Sequence, residues 1–162
     1  MPAISADLRK LLIRTNLVIF PEDFVVVYLP SNIKAIPGEW FRSATTRFAV
    51  VIQEPKTITM IITRRKWMRM QNMFEKYEVN GPLKVITFDV KLSFAAKGYM
   101  AAIGSVLTEA NISAVPISSL KRDHILVSKA DLPRTVRVLR EFLSSCKKKP
   151  SGSSKKNDSH SP

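Results

Sequence analysis

The chain of 162 residues has one cysteine, two histidines and five glycines, and none of its apolar stretches is long. A lone cysteine, Cys146, excludes an internal disulfide and cannot by itself hold a structural metal, so nothing asks for an oxidising compartment. The longest apolar runs, "FVVVYL" and "TMII", fall far short of the roughly 20 residues a membrane helix needs, and no signal-peptide core opens the chain. The expectation is a soluble cytoplasmic protein that does not enter a membrane. Scarce histidine and the absence of a glycine-rich phosphate loop remove support for metal, P-loop and dinucleotide chemistry, and predict no cofactor.

Acidic residues are also few: 13, against 26 lysines and arginines. The resulting net charge of +13 points toward polyanions, because a basic protein gains affinity for nucleic acid by releasing condensed counterions. Residues 147–162, "KKKPSGSSKKNDSHSP", hold five lysines and one aspartate, so they account for +4 of the +13 and residues 1–146 keep +9. That tail has no apolar residue with which to repay ordering and is read as a disordered basic end, with a nuclear address as the alternative it raises.

What remains, 45% hydrophobic and 24% charged, suffices for a real core. "SADLRKLLIRTN" places Ile4, Leu8, Leu11 and Leu12 on one helical face behind Ser5 as N-cap. "DFVVVYLP", "RFAVVIQ" and "TITMIITR" read as strands, and "RRKWMRMQNMFEKY" as a helix with Trp67, Met70 and Phe74 on its inner face. "LKVITFDVKL" is a strand leading through "SFAAKG" into a helix with Tyr99, Ile103, Val106, Leu107 and Ala110 at helical spacing. "ISAVPIS" and "HILVS" then pair around "SLKRD". A last helix follows Asp131, with Pro133 in its first turn and Leu132, Val136, Leu139 and Leu143 inward.

The order β-α-β-β-α recurs in the first half if residues 31–42 stand in for its first helix. The fold class predicted is therefore α+β, two ferredoxin-like units (βαββαβ) with antiparallel sheets. The boundaries are an N-terminal helical segment 1–20, a first unit 21–80, a second unit 81–146 and the basic tail 147–162. The second unit lacks a clear fourth strand, a vacancy open to the other half or to a second subunit.

Three stretches could carry chemistry. In "SSLKRDHILV" His124 follows Asp123, but neighbours on a strand face opposite ways, so no orienting Asp–His pair forms unless the backbone turns. No enzyme activity is expected. Arg65, Arg69 and Lys76, with Lys66 adjacent, could present a basic helix face to phosphates, or form an ordinary solvated face over Trp67 and Phe74. The turn "LSFAAKGYM" sets Gly98 where a helix begins, so free N–H groups and the positive end of the helix dipole would meet a small carboxylate. Ser118 and Asp123 lie within reach in a β-α-β-β unit, and a carboxylate acceptor beside a carboxylate-binding turn suits an amino acid. The plainer alternative has Gly98 as a turn residue and Asp123 and His124 as hairpin polar groups.

The stretch from "FDVKLSFAAKGYM" through "TEANISAVPISSLKRDHILV" to "LREF" resembles the small tandem ACT-domain proteins, which are related to the regulatory domains of amino-acid enzymes and to the cytosolic arginine sensors. The likeness extends more weakly over "DLRKLL", "FPEDFVVVYLP" and "TITMIITR". It implies a non-catalytic regulatory role with a small ligand, an amino acid, between ACT units. The lining residues it implies are Ser93, Lys97, Gly98, Tyr99, Ile117, Ser118 and Asp123, and the implied partners are a homodimer or a downstream protein. Ser93, Lys97 and Asn111 depart from the aspartate, uncharged residue and glycine usual there, and Lys97 either pairs with a ligand carboxylate or fills the site. A basic module that contacts RNA or protein on the same fold, without a small ligand, is the competing reading.

Overall fold

The computed structural model describes residues 4–32, 48–92 and 96–147. The predicted tail beyond Lys147 and the connection over 33–42 lie outside them.

Helix α1 (Ala6–Arg14) starts where Ser5 Oγ accepts the Leu8 N–H at 3.2 Å; Asp7 in its first turn and Arg14 in its last complement the dipole. Leu8 and Leu12 form its buried stripe. Strands β1 (Asn16–Ile19) and β2 (Phe24–Pro30) follow, then β3 (Val50–Gln53) and β4 (Thr57–Thr63). Thr63 Oγ1 caps α2 (Arg64–Met70), and a 3-10 turn continues it over Gln71–Met73. The remaining elements are β5 (Glu78–Asp89), α3 (Tyr99–Glu109), β6 (Ala114–Ser118), β7 (Asp123–Ser128) and α4 (Leu132–Lys147).

Among the described residues, the seven strands join one antiparallel sheet, in the order β3-β4-β2-β5-β7-β6 with β1 also on β5. Separate sheets for two units are therefore not what forms. Long β5 takes β7 along one edge, while its other edge is shared by β2 (Phe24↔Leu83 to Tyr28↔Glu78) and β1 (Asn16↔Asp89 to Ile19↔Ile86). The open fourth-strand position is thus occupied from within the chain. β3 and β6 are the sheet's edges, and the one proline inside β6, Pro116, is tolerated there because an edge strand can spare an N–H.

Three expectations shift. Residues 1–20 are not all helical, since 16–19 become β1 once Phe88 and Ile86 offer a partner strand. The helix read over 64–77 ends at Met70, because Phe74 returns to extended backbone and its ring stacks on Trp67 at 5.8 Å. Strand β5 starts at Glu78 and crosses the expected unit boundary between 80 and 81 without a break. Gly81 permits this: its φ is +145°, and a Cβ there would stand 3.0 Å from the Phe24 carbonyl oxygen, next to the register shift in β2.

Strand alternation divides the core. Ile86, Phe88, Ile125 and Val127 face α1, α3 and α4, together with Leu12, Ile103, Leu139 and Leu143. On the same sheet face Val25, Val27, Met60 and Ile62 lie under α2 with Trp67 and Met70. Val85, Leu126, Phe24, Val26 and Ile61 form a cluster on the opposite face. A partly buried ionic clasp joins the corner between β1 and β2 to the rest. Lys84 Nζ meets Asp23 Oδ1 at 2.9 Å and the carbonyls of Pro21 and Glu22 at 2.6 and 3.1 Å, and Lys129 Nζ meets Asp23 Oδ2 at 2.7 Å.

Candidate functional site

Helix α3 begins at Gly98, whose φ of 78° and ψ of 4° put it in the left-handed region. A side chain is strained there, although space exists: a Cβ would meet only Leu8 Cδ2, at 3.6 Å. No side chain caps this helix, and its first internal bond runs from Ala102 N–H to Gly98 O at 3.0 Å. The N–H groups of Tyr99, Met100 and Ala101 are therefore left for whatever lies in front of them.

What lies in front is a cavity of about 350 Å³, within the roughly 300–1,000 Å³ range of small-ligand sites. Leu92, Ala96, Gly98, Tyr99, Met100 and Ala101 make one wall, and Ser118, Ser119, Leu120 and Asp123 the other. The second wall is the β6–β7 hairpin. Its tip is held by Ser119 Oγ, which donates to the Arg122 carbonyl at 2.7 Å and accepts the Arg122 N–H at 3.2 Å. Arg122 Nε meets Asp89 Oδ1 at 2.8 Å, and Leu92 N–H donates to Lys121 O at 3.3 Å, so both walls are tied to the end of β5.

Asp123 is only 8% exposed. Its carboxylate makes no hydrogen bond or ion pair with a described residue and opens onto the cavity, where it is free to accept from a cationic group. Tyr99 closes the floor. Thr15 donates its hydroxyl to Leu11 O at 2.9 Å, which leaves Thr15 Oγ1 to accept from the Tyr99 hydroxyl at 2.7 Å. Burial, with the Asp123 charge adding to it and the Thr15 bond working against it, pushes the Tyr99 phenol up to about 12. It remains a neutral structural phenol.

Gly98, Tyr99, Ser118 and Asp123, all expected from the sequence, meet at this cavity. Lys97 is exposed and outside the lining. Ile117 turns away: Ser118 pairs with Asp123 on the cavity side, so alternation sends Ile117 to the Phe24–Leu126 cluster on the other sheet face. Ser93 lies outside the described residues. Sequence reasoning missed Leu92, Ala96, Met100, Ala101, Ser119 and Leu120. Each lies within a few residues of one that was named, and carrying the argument one helical turn past Gly98 would have included Met100 and Ala101.

His124 also faces away from the cavity. Its Nδ1 lies 2.8 Å from Thr87 Oγ1 and its ring packs edge-on against Phe48 at 5.0 Å. Burial holds its pKa below the usual 6.5; the Asp123 charge works against that shift, and Arg122 works with it. Asp123 and His124 are thus separated by the sheet itself, and no acid–base pair forms. Among the described residues no group of three His, Cys, Asp or Glu could hold a metal ion, and no helix is long and apolar enough to cross a membrane. On α2, Arg65 and Arg69 are exposed, whereas Lys76 falls beyond the helix.

An α+β domain with an antiparallel sheet and a cavity between a helix start and a strand hairpin defines the class. Residues 78–141 match the family model of the ACT domain. No curated protein matches the sequence. Among solved structures, the chain is similar to a structural-genomics protein from Agrobacterium tumefaciens, with 20% identity, 79% of this chain and 88% of that one covered, and a TM-score of 0.63. A Vibrio cholerae protein of unknown function gives 23% identity, coverage of 87% and 99%, and a TM-score of 0.63. The regulatory subunit of aspartate kinase from Thermus flavus gives 7% identity, coverage of 78% and 96%, and a TM-score of 0.54. At these identities the likeness is one of fold.

Proposed function

We propose that this protein is a non-catalytic regulatory module that binds a small metabolite, an amino acid, in the cavity between α3 and the β6–β7 hairpin. ACT domains are typically small-ligand regulatory modules, often for amino acids, which supports the reading. The observation that carries it is the pairing of an uncapped helix start with the unpartnered carboxylate of Asp123 across one cavity. The helix N–H groups suit a ligand carboxylate and Asp123 suits its ammonium, while Leu92, Met100 and Leu120 suit an apolar side chain.

The strand order supports treating the chain as two ACT-like units, one built on β2, β3 and β4 and the other on β5, β6 and β7, joined through β2 and β5. A ligand that bridges the walls of the cavity would stabilise one arrangement of them, and a protein partner or second copy in the cytoplasm would read that arrangement. The test is thermal unfolding of the full chain against the common amino acids at millimolar concentration. A ligand at about 100 times its Kd adds roughly 2.7 kcal/mol and should raise the midpoint by several degrees. Gly98→Val, which forces a β-branched side chain into the left-handed region in front of the site, should remove that shift. A flat response to the whole panel, or an undiminished shift in Gly98→Val, would sink the proposal.

A further inference from the structure

We infer that the outer face of α4 is a docking surface for the phosphate backbone of a nucleic acid, independent of the cavity. At 100° per residue, Arg134, Arg137, Arg140 and Lys147 fall within an arc of about 140°, and all four are exposed. Thr135, Leu139, Leu143 and Cys146 occupy the buried arc opposite. A helix of 16 residues spans about 24 Å, so this is a line of cations rather than a single point. Within the arc Glu141 is the one acidic residue.

These charges are largely uncommitted. Arg134 reaches the Ala110 carbonyl at the end of α3. Arg137, Arg140 and Lys147 make no hydrogen bond or ion pair with a described residue. Their neighbour α1 adds exposed Arg14, and it is held alongside by the bond from Arg9 Nε to Cys146 O at 3.0 Å. Past Lys147 the sequence continues Lys148-Lys149. Like charges left this close together without anions weaken a fold through mutual repulsion, and a polyanion relieves that repulsion.

The chemistry selects among polyanions. Arginines lead the line, and their guanidinium forks match phosphate oxygens. A membrane-bound helix inserts apolar side chains, but α4 has no exposed large hydrophobic residue and α1 has only Ile13. No exposed aromatic ring on α4 offers a stacking platform for bases. Binding is therefore to backbone phosphates, independent of sequence and steeply dependent on salt.

The test is fluorescence anisotropy of the full chain with labelled mixed-sequence 20-base-pair DNA between 50 and 200 mM salt. The wild type should bind, and Arg137→Glu/Arg140→Glu should weaken binding at 50 mM salt at least tenfold and flatten the log–log salt slope by about 2. Arg137→Gln/Arg140→Gln should do the same more mildly, and unchanged circular dichroism in either variant separates lost binding from lost folding. Arg65→Glu/Arg69→Glu on α2 should leave the slope unaltered. The inference is overturned if the α4 variants bind as the wild type does, which would leave the lysine tail as the binder. It is also overturned if the α2 variant alone loses binding, or if the protein binds phosphatidylserine vesicles but no oligonucleotide.

Discussion

Asp123 and His124 are adjacent on one strand and face opposite sides of the sheet, so each makes its own prediction. Asp123 is buried without a described partner. Replacing it with Asn keeps the shape and removes the charge. Ligand affinity should fall by roughly 10- to 100-fold, the equivalent of about 1–3 kcal/mol for a charged hydrogen bond, while the unfolding midpoint of the free protein should hold or rise. A lowered midpoint with unchanged affinity would make Asp123 a structural residue. His124 is held neutral by burial. The unfolded state therefore takes up a proton at higher pH than the folded state does. His124 contributes stability that is complete above about 6.5 and is lost as pH falls from there through the lowered folded value. An NMR titration should place the His124 midpoint below 6.5 in the native protein; a midpoint at or above that value would contradict its burial beside Phe48.

At the scale of elements, the clasp at Asp23 is the connection to test. Lys129, then Lys84, hold its carboxyl below the usual carboxylate range, and desolvation opposes them only in part. A carboxylate with a depressed folded pKa stabilises above its unfolded value near 3.8 and loses that contribution as pH falls through the folded one. Asp23→Asn should cost about 1–3 kcal/mol at neutral pH, because Lys84 then keeps only carbonyl partners in a buried place. The same substitution should cost much less near pH 2, which urea unfolding at the two pH values would check. Most elements could be read from local pattern. The Ser5 cap, the Thr63–Trp67–Met70 turn and the Leu139–Leu143 stripe all follow from residue type and spacing. Thr135 escaped notice because it is polar, although it is fully buried; its Oγ1 is satisfied by Asp131 O at 2.8 Å. Strand β1 escaped because four residues carry too little periodicity to separate a strand from the end of a helix.

For the whole molecule, one sheet running from β3 to β6 predicts one cooperative transition. Trp67 reports on the core under α2, and far-UV circular dichroism reports on every helix. In a Trp40→Phe background the two signals should unfold together, since β2 and β5 pair directly and Phe24 and Val26 pack with Val85 and Leu126. Separate midpoints would mean two units that fold independently. Four of the ten residues lining the cavity were visible before the fold: Gly98 and Tyr99 at the start of a helical pattern, and Ser118 and Asp123 around a hairpin. The separation of Ile117 from Ser118 needed the register of β6 on β7, and the exclusion of Lys97 needed the path of the chain around Gly98.

Local rules were enough for this sequence to determine its α+β character, its caps, the start of α3 and the opposed directions of Asp123 and His124, because caps, turns and alternation act over only a few residues. Only the tertiary structure decided that β1 and β2 share one edge of β5, that Asp23 bridges Lys84 and Lys129, and which residues close the cavity. Those outcomes are pairings between residues such as Asp23 and Lys129, which lie 106 positions apart; their energy exists only once the chain has brought them together.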